Sequence, residues 1–366
     1  MSRYRFFVSY ARKDRKSAEV LVKQLEDGGH QVLWDSRLGA GRLFTAEIQK
    51  AIQRCHFFIP VISHNSLTNS WVQQEIGYAL ACNVPLVPLV FDNIAEKVGM
   101  LMGIQGMVVK KSLIKHQLKD QLQRNNWGNL LRDAQTKSLA VFQCDSDDRE
   151  KSRLIVASAQ YVADQFSNVM VMQRSTLTSF SLPAQLEDDN WRGVNDKMRL
   201  YWLKPAERCA LEELAKIGSC CLIIDPCYSL AGYRLDINVA KLLTLRDFFL
   251  SNLENDRLRV VVQRFDRSES EVIIEDHWMA HSAAVRTMAT ERETLSTWHA
   301  PTVRLYAETF QKEFDRLYEQ QEESRGNRKS SKYAAELINC RLRSLWNCST
   351  VPERYTHCMF QNIPES

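Results

Sequence analysis

The sequence predicts an α/β protein with two domains, and three observations lead to this fold class. Short apolar runs of strand length alternate with segments whose apolar residues recur at helical spacing, which is typical of sheets covered by helices. The chain has 366 residues, too many for one small core and suitable for two domains. No apolar run reaches the roughly 18 residues that a membrane-spanning helix needs, so we expect no membrane segment.

Composition and charge exclude several functional classes. Hydrophobic content of 45% and charged content of 25% are ordinary for a globular protein, and a net charge of +4 is too small to indicate nucleic-acid binding by itself. The ten cysteines are scattered without a CxxC pair, and Cys220 and Cys221 are adjacent in an apolar run. This pattern favours buried, reduced thiols over a disulfide framework. Since no signal peptide precedes the first strand-like run, we expect a cytoplasmic protein.

Five strand candidates alternate with helical segments between residues 1 and 135. They are Arg5–Tyr10, Gln31–Trp34, Cys55–Ser63, Val84–Val90 and Met107–Val109. Pro85 and Pro88 predict irregular pairing of the fourth candidate near the rim of the sheet. The alternation predicts a five-stranded parallel sheet of flavodoxin-like order.

The stretch from Ser70 to Leu80 is the most informative part of this region. It reads as a helix with Ser70 as its N-cap, and Trp71 and Glu75 are four residues apart and so lie on one face. The helix follows a buried strand, and parallel α/β sheets bind ligands at the carboxyl ends of their strands. The alternative is structural, with Trp71 in the core and Glu75 a solvated acid in the first turn.

Several motifs together carry a resemblance to a known family. In order, they are Phe7-Val8-Ser9-Tyr10, Trp34-Asp35 with a glycine-bearing loop, Phe58-Ile59-Pro60-Val61-Ile62-Ser63, and Ser70-Trp71 with Glu75. Residues 1–135 resemble a TIR (Toll/interleukin-1 receptor) domain. The resemblance implies a nicotinamide–ribose cleavage of NAD+ in which the matched glutamate, Glu75, is catalytic. It also leaves open a non-catalytic scaffold, since other members of the family signal by self-association.

The residue types suit this chemistry. Cleaving the bond passes through a ribosyl cation that a fixed carboxylate stabilises, and nicotinamide leaves as a neutral base, so one carboxylate can suffice. The residues expected to line the NAD+ site are Tyr10, Ala11, Arg12, Trp34, Phe44, Ser63 and Trp71. The indoles offer stacking faces, Arg12 is a candidate for the pyrophosphate, and Ser63 for a ribose hydroxyl. Each has a structural alternative: packing for Trp34, simple solvation for Arg12, the end of a strand for Ser63. Asp35 receives no role, and NAD+ is a substrate rather than a cofactor.

A second α/β region is predicted over residues 136–321. Its strand candidates are Ser138–Gln143, Val169–Met172, Cys220–Ile224, Leu258–Val262 and Val272–Ile274. Its helices are predicted after the acidic turn 145–148 and near 205–217, 238–251 and 301–321. Residues 322–366 form a basic loop followed by a last helix at 333–346, where a nucleic-acid contact is an alternative to simple solvation.

The chemistry visible in the second region is weak. Asp145, Asp147 and Asp148 read as a helix-capping turn rather than a cation site. His277 and His281 have the spacing of a helical zinc motif, but its glutamate and third ligand are missing, so no metal site is predicted. Asp225 follows a buried strand and marks a second strand-end crevice. We therefore interpret this region as a non-catalytic recognition domain.

Taken with the resemblance, these features predict a triggered effector of prokaryotic antiviral defence. A TIR NAD+ hydrolase would be switched on by TIR–TIR assembly, with the Gly39–Gly41 loop completing the site. The trigger at the second domain stays open between a nucleotide, a phage protein and a nucleic-acid complex. The alternatives are a TIR scaffold and an ADP-ribosyl cyclase that makes a cyclic messenger.

Overall fold

The computed structural model describes residues 3–34, 46–91, 106–110, 114–124, 127–128, 130–131, 143–145, 148–194, 202–226, 235–264, 270–284 and 292–347. The chain divides into two compact units. The first comprises Met1–Val141 and Thr297–Leu305, and the second comprises Phe142–Ser296 and Tyr306–Ser366. The predicted α/β class with two sheets is confirmed. The expected boundary between residues 135 and 136 lies outside the described residues.

In the first unit, helices follow four of the five described strands. Its elements are β1 (Arg5–Ser9), α1 (Arg15–Asp27), β2 (Gln31–Trp34), α2 (Ala46–Gln53), β3 (Phe57–Ile62), α3 (His64–Leu67), α4 (Ser70–Ala81), β4 (Leu89–Phe91), β5 (Met107–Val109) and α5 (Ile114–Arg124). The strand order is β2-β1-β3-β4-β5 and the pairing is parallel, as the flavodoxin-like prediction requires. The carboxyl ends of these strands therefore share one edge of the sheet.

Aromatic packing fixes the centre of this sheet. Phe6 of β1 stacks on Phe57 of β3 with ring centroids 5.3 Å apart, and Trp127 meets both rings edge-on at 5.0 and 4.9 Å. All three side chains are buried, and each contributes roughly 1.5–3 kcal/mol through the area it removes from water. The segment after α5 therefore contributes to the core through Trp127.

In the first unit, the start of the fourth strand and the N-cap of α4 differ from the prediction. The fourth strand begins only at Leu89, because Pro85 and Pro88 have no N–H to donate to a ladder. Before it, Leu86 makes one isolated bridge with Phe58. The N-cap of α4 is Asn69 and not Ser70: its side chain accepts from Trp71 N at 3.0 Å and from Val72 N at 3.3 Å.

The second unit is built on a mixed sheet. Its strands are β6 (Gln143–Asp145), β7 (Met170–Ser175), β8 (Ser219–Ile224), β9 (Leu258–Val262), β10 (Ser270–Ile274), β11 (Trp278–Ala284) and β12 (Arg292–Thr297). The order is β6-β12-β11-β10-β7-β8-β9. Strands β7, β8 and β9 are parallel, β10 runs antiparallel to β7 and β11, and β12 antiparallel to β6. Residues 138–142 of the first predicted strand lie outside the described residues.

The helices of the later chain match the predicted positions within a few residues. They are α6 (Asp148–Gln165), α7 (Leu203–Ile217), α8 (Leu235–Ser251), α9 (Ala300–Gln320), α10 (Glu322–Arg325) and α11 (Ser330–Asn347). The last helix packs against α8 and β9, so it belongs to the second unit. None of the helices in the described part of the chain is long and apolar enough to cross a membrane.

Candidate functional site

The candidate site lies at the carboxyl edge of the first sheet, where β1 and β2 end side by side. Val8 pairs with Trp34, the last residue of β2, and Ser9 pairs with Pro60 of β3. Tyr10 and Ala11 follow β1 directly, so the chain turns over this edge between two neighbouring strands. The parallel pairing thus brings the predicted residues of the first two strands to one place.

Helix α4 delivers the predicted catalytic carboxylate to the same edge. The helix buries Val72, Ile76 and Ala79, which recur at helical spacing against the core, and this leaves Glu75 half-buried beside them. Ser9 Oγ donates to Glu75 Oε2 at 2.5 Å, which ties the helix to the end of β1. Ser9 is not among the site residues predicted from the sequence; its position near the end of the first predicted strand was the available signal.

Aromatic side chains lie near this edge of the sheet. The rings of Tyr10 and Trp34 are 5.9 Å apart and tilted by 41°, and both are half-buried. Trp71, one turn before Glu75 on α4, is 41% exposed. Exposed and half-buried aromatic faces beside a carboxylate are suited to holding a flat base and its sugar. Whether they bind NAD+ stays a prediction.

The remaining predicted residues have different surroundings. Ala11 is buried, and Arg12 is exposed at the start of a short 3-10 helix, Arg12–Asp14. Phe44 and the loop with Gly39 and Gly41 lie outside the described residues.

Ser63 has structural partners. Its hydroxyl accepts from Asn65 N and Ser66 N, capping α3, and it donates to Asp14 Oδ2. Asn65 Nδ2 also donates to Asp14, at 3.1 Å. Both residues are buried: Ser63 is 5% exposed and Asp14 is 1% exposed. This geometry favours the interpretation in which Ser63 ends its strand over the interpretation as a ribose donor.

The candidate residues of the second unit lie on separate elements of its sheet and helices. His277 lies in the turn between β10 and β11 and His281 lies within β11, so the two histidines do not share a helix face. The helical arrangement that a zinc motif of this spacing requires is therefore not formed by this pair. Across the described ranges, no three His, Cys, Asp or Glu side chains are arranged to hold a metal ion. Asp225 is buried at the end of β8, and Asp148 begins α6.

A cavity of about 710 Å³ opens in the second unit, between α7, α8 and the segment 187–190. Its cationic side chains each have a carboxylate partner: Arg208 with Glu212 at 2.7 Å, Lys216 with Glu213 at 2.6 Å, and Arg246 with Asp247 at 2.7 Å. Burial also raises the pKa of Asp188 in this wall. An anionic ligand would have to compete with these carboxylates for the same cations.

A comparison with known protein families identifies most of the N-terminal part of the first unit. Residues 6–124 match the family model described as the TIR domain. Among solved structures, the chain resembles the TIR domains of the activated Roq1 resistosome that directly recognizes the pathogen effector XopQ. The identity is 20%, the match covers 37% of this chain and 85% of that one, and the TM-score is 0.25.

A second similar structure is TrmBL2, an archaeal chromatin protein with a novel mode of DNA binding. Here the identity is 9%, the match covers 56% of this chain and 64% of that one, and the TM-score is 0.27. Neither structural likeness contributes to the assignment of function at these scores. No curated protein matches the chain. With the family match and the parallel five-stranded sheet both in place, residues 6–124 of this chain are a TIR domain.

Proposed function

We propose that the TIR domain hydrolyses NAD+ at the nicotinamide–ribose bond, with Glu75 as the catalytic carboxylate. The observation that carries the proposal is the arrangement at the carboxyl edge of the first sheet. A half-buried glutamate is held by Ser9 on the same edge as the rings of Tyr10 and Trp34. Ligand sites of open parallel sheets lie at this edge.

The chemistry needs only one acid. When the C–N bond breaks, its electron pair moves to the positively charged nicotinamide, which leaves as a neutral base. The ribose then carries the positive charge, and the carboxylate of Glu75 stabilises that charge and orients the ribose hydroxyls. Water adds to the anomeric carbon and loses a proton, which gives ADP-ribose. In this scheme the indoles of Trp34 and Trp71 stack on the base, and Arg12 meets the pyrophosphate.

For the whole protein we propose a triggered effector of prokaryotic antiviral defence that acts in the cytoplasm. The second unit would perceive the trigger, and assembly of TIR domains would complete the active site. The paired cations of the cavity between α7 and α8 bear on the trigger's identity. They disfavour a nucleotide bound in that cavity, because its phosphates would face carboxylates.

The test measures NAD+ consumption by the full-length protein over a series of protein concentrations, with nicotinamide and ADP-ribose quantified by chromatography. We expect the NAD+ turnover per protein molecule to rise with protein concentration. The fraction of oligomers measured by size-exclusion chromatography should rise in parallel. Glu75→Gln should lose at least a hundredfold of the activity. Glu19→Gln is the matched control, since it removes an exposed carboxylate of the same domain, paired with Arg15 at 2.9 Å. Full activity as a dilute monomer would refute the assembly requirement.

A scaffold function is the second candidate, and one observation favours it. The Glu75 carboxylate already has a partner within the domain, Ser9, as a purely structural glutamate would. In that case Glu75→Gln would leave the biological output unchanged while the fold persists. Mass spectrometry of the products separates hydrolysis from a cyclase reaction, because a cyclase would yield cyclic ADP-ribose instead of the open form.

A further inference from the structure

We propose that Ser9 is a positioning residue for Glu75: its hydroxyl holds the carboxylate in the orientation that the ribosyl cation requires. This inference rests on the proposed NAD+ hydrolysis and adds a second residue to its machinery. The direct evidence is the hydrogen bond from Ser9 Oγ to Glu75 Oε2 at 2.5 Å.

Ser9 lies on an internal strand of the sheet. It is the last residue of β1, a strand paired on both sides with β2 and β3, and it is 2% exposed. A hydroxyl with so little exposure does not contact a substrate. Ser9 can therefore influence the chemistry only through the side chain it binds.

Glu75 is the more exposed partner of the pair. Its side chain has three rotatable bonds, and it stands half-buried on α4 where a ligand can reach it. Free glutamate side chains populate many rotamers, and fixing one of them before the substrate arrives removes that entropic cost from the reaction. A hydrogen bond to a charged acceptor is among the stronger contacts available for this purpose.

A second hydroxyl–carboxylate pair at the same edge shows what a structural pair looks like. Ser63 donates to Asp14, but here both partners are buried, and Asn65 occupies the other carboxylate oxygen of Asp14. Asp14 is therefore sealed from a ligand, whereas Glu75 is not. Of the two pairs, only the pair of Ser9 and Glu75 combines a fixed donor with an accessible acid.

The test compares steady-state kinetics of Ser9→Ala, Ser9→Cys and Ser9→Thr with wild type and Glu75→Gln in the full-length protein. Ser66→Ala is the matched control: Ser66 is another fully buried serine near this edge, and its hydroxyl accepts from Ser63 N and donates to Ser63 O within the capping turn of α3. Thermal midpoints are recorded for every variant, so that loss of folding is separated from loss of chemistry.

We expect Ser9→Ala to lower kcat about tenfold while KM stays within twofold, since the lost contact orients the carboxylate instead of binding NAD+. Ser9→Thr should recover most of the activity because it keeps the hydroxyl. Ser9→Cys, which keeps the size but donates weakly, should fall between Thr and Ala, and it replaces Ser9→Ala as the measure if that variant does not fold. Ser66→Ala should keep kcat within twofold of wild type.

Three results would overturn the inference: a wild-type kcat in Ser9→Ala, an effect on KM alone, or an equal loss of kcat in Ser66→Ala. Failure of the proposed NAD+ hydrolysis would give a result that differs from these three. If the wild-type protein turns over NAD+ no faster than Glu75→Gln at every protein concentration, hydrolysis through Glu75 is wrong, and the role of Ser9 is wrong with it.

Discussion

The two sheets of this protein differ in how the chain builds them. In the TIR domain, each described strand pairs in parallel with its neighbours in the sheet, so the carboxyl ends of all five described strands meet at one edge. In the second unit, β12 returns to lie between β6 and β11, so the last strand of the unit pairs with its first. A parallel sheet creates one ligand edge by its topology, whereas the mixed sheet divides its strand ends between two edges.

From this difference we expect the acid at the ligand edge of the TIR domain to serve catalysis and a buried acid of the second unit to serve stability. The variant Glu75→Gln is the strongest test of this expectation. We expect a loss of NAD+ turnover of at least a hundredfold with almost no change in the thermal midpoint, because Glu75 is only half-buried and Gln keeps its shape. The readouts are chromatographic product formation and differential scanning fluorimetry. A large drop in the midpoint would instead place Glu75 among the structural acids.

Glu207 is the corresponding acid of the second unit, and we expect it to matter for stability. It is 5% exposed and accepts from Ser152 Oγ at 2.7 Å and Ser179 Oγ at 2.6 Å, with Lys204 Nζ 3.7 Å away. Glu207→Ala removes the carboxylate that both buried serine hydroxyls bind and should cost about 3 kcal/mol in the free energy of unfolding.

Denaturant titration of the second unit's transition measures this cost. Glu213→Ala is the control on the same helix, because its ion pair with Lys216 is exposed and is worth at most about 1 kcal/mol. Equal effects of the two variants would contradict a structural role for Glu207.

Acid should weaken the first unit through His299. Burial lowers the pKa of His299 to about 4, against 6.5 for the unfolded chain, so the folded protein holds this ring neutral. The stabilisation is complete above pH 6.5 and is lost as the pH falls toward 4. The loss amounts to about 2 kcal/mol in the free energy of unfolding by pH 5.

Unfolding midpoints of wild type and His299→Gln, measured from pH 7.5 to 5, check this expectation. The wild-type stability should fall more steeply with acid than that of the variant. Parallel curves would show that His299 is not the group responsible.

The smallest expected effect concerns the ring of Trp298 in the first unit. The guanidinium of Arg54 lies 3.9 Å above this ring, and Arg54 is only 7% exposed. Trp298→Leu should therefore cost about 1–2 kcal/mol, seen as a fall of a few degrees in the midpoint. Trp202→Leu is the control, because Trp202 is 64% exposed; a loss as large there would mean that the cation contact adds nothing.

The sequence was sufficient for the architecture of the TIR domain and for the edge on which Glu75 lies, because strand–helix alternation and helical spacing are local signals. Local patterns also located most strands of the second unit, but the pairing of β12 with β6 depends on residues far apart in sequence. The contact between Ser9 and Glu75 was missed for the same reason, since the two residues are 66 positions apart. The four-residue spacing of His277 and His281 could not reveal by itself that a β-hairpin, and not a helix, carries His281.

The inclusion of Thr297–Leu305 in the first unit determines how this protein can be divided. A recombinant fragment that ends at Val141 has no Trp298 ring beneath Arg54 and no Arg304 guanidinium over the ring of Tyr4, which lie 3.9 and 4.6 Å apart in the intact chain. An independently expressed N-terminal half therefore needs these nine residues restored, either as an added peptide or through a short artificial linker, before its behaviour can stand for that of the domain.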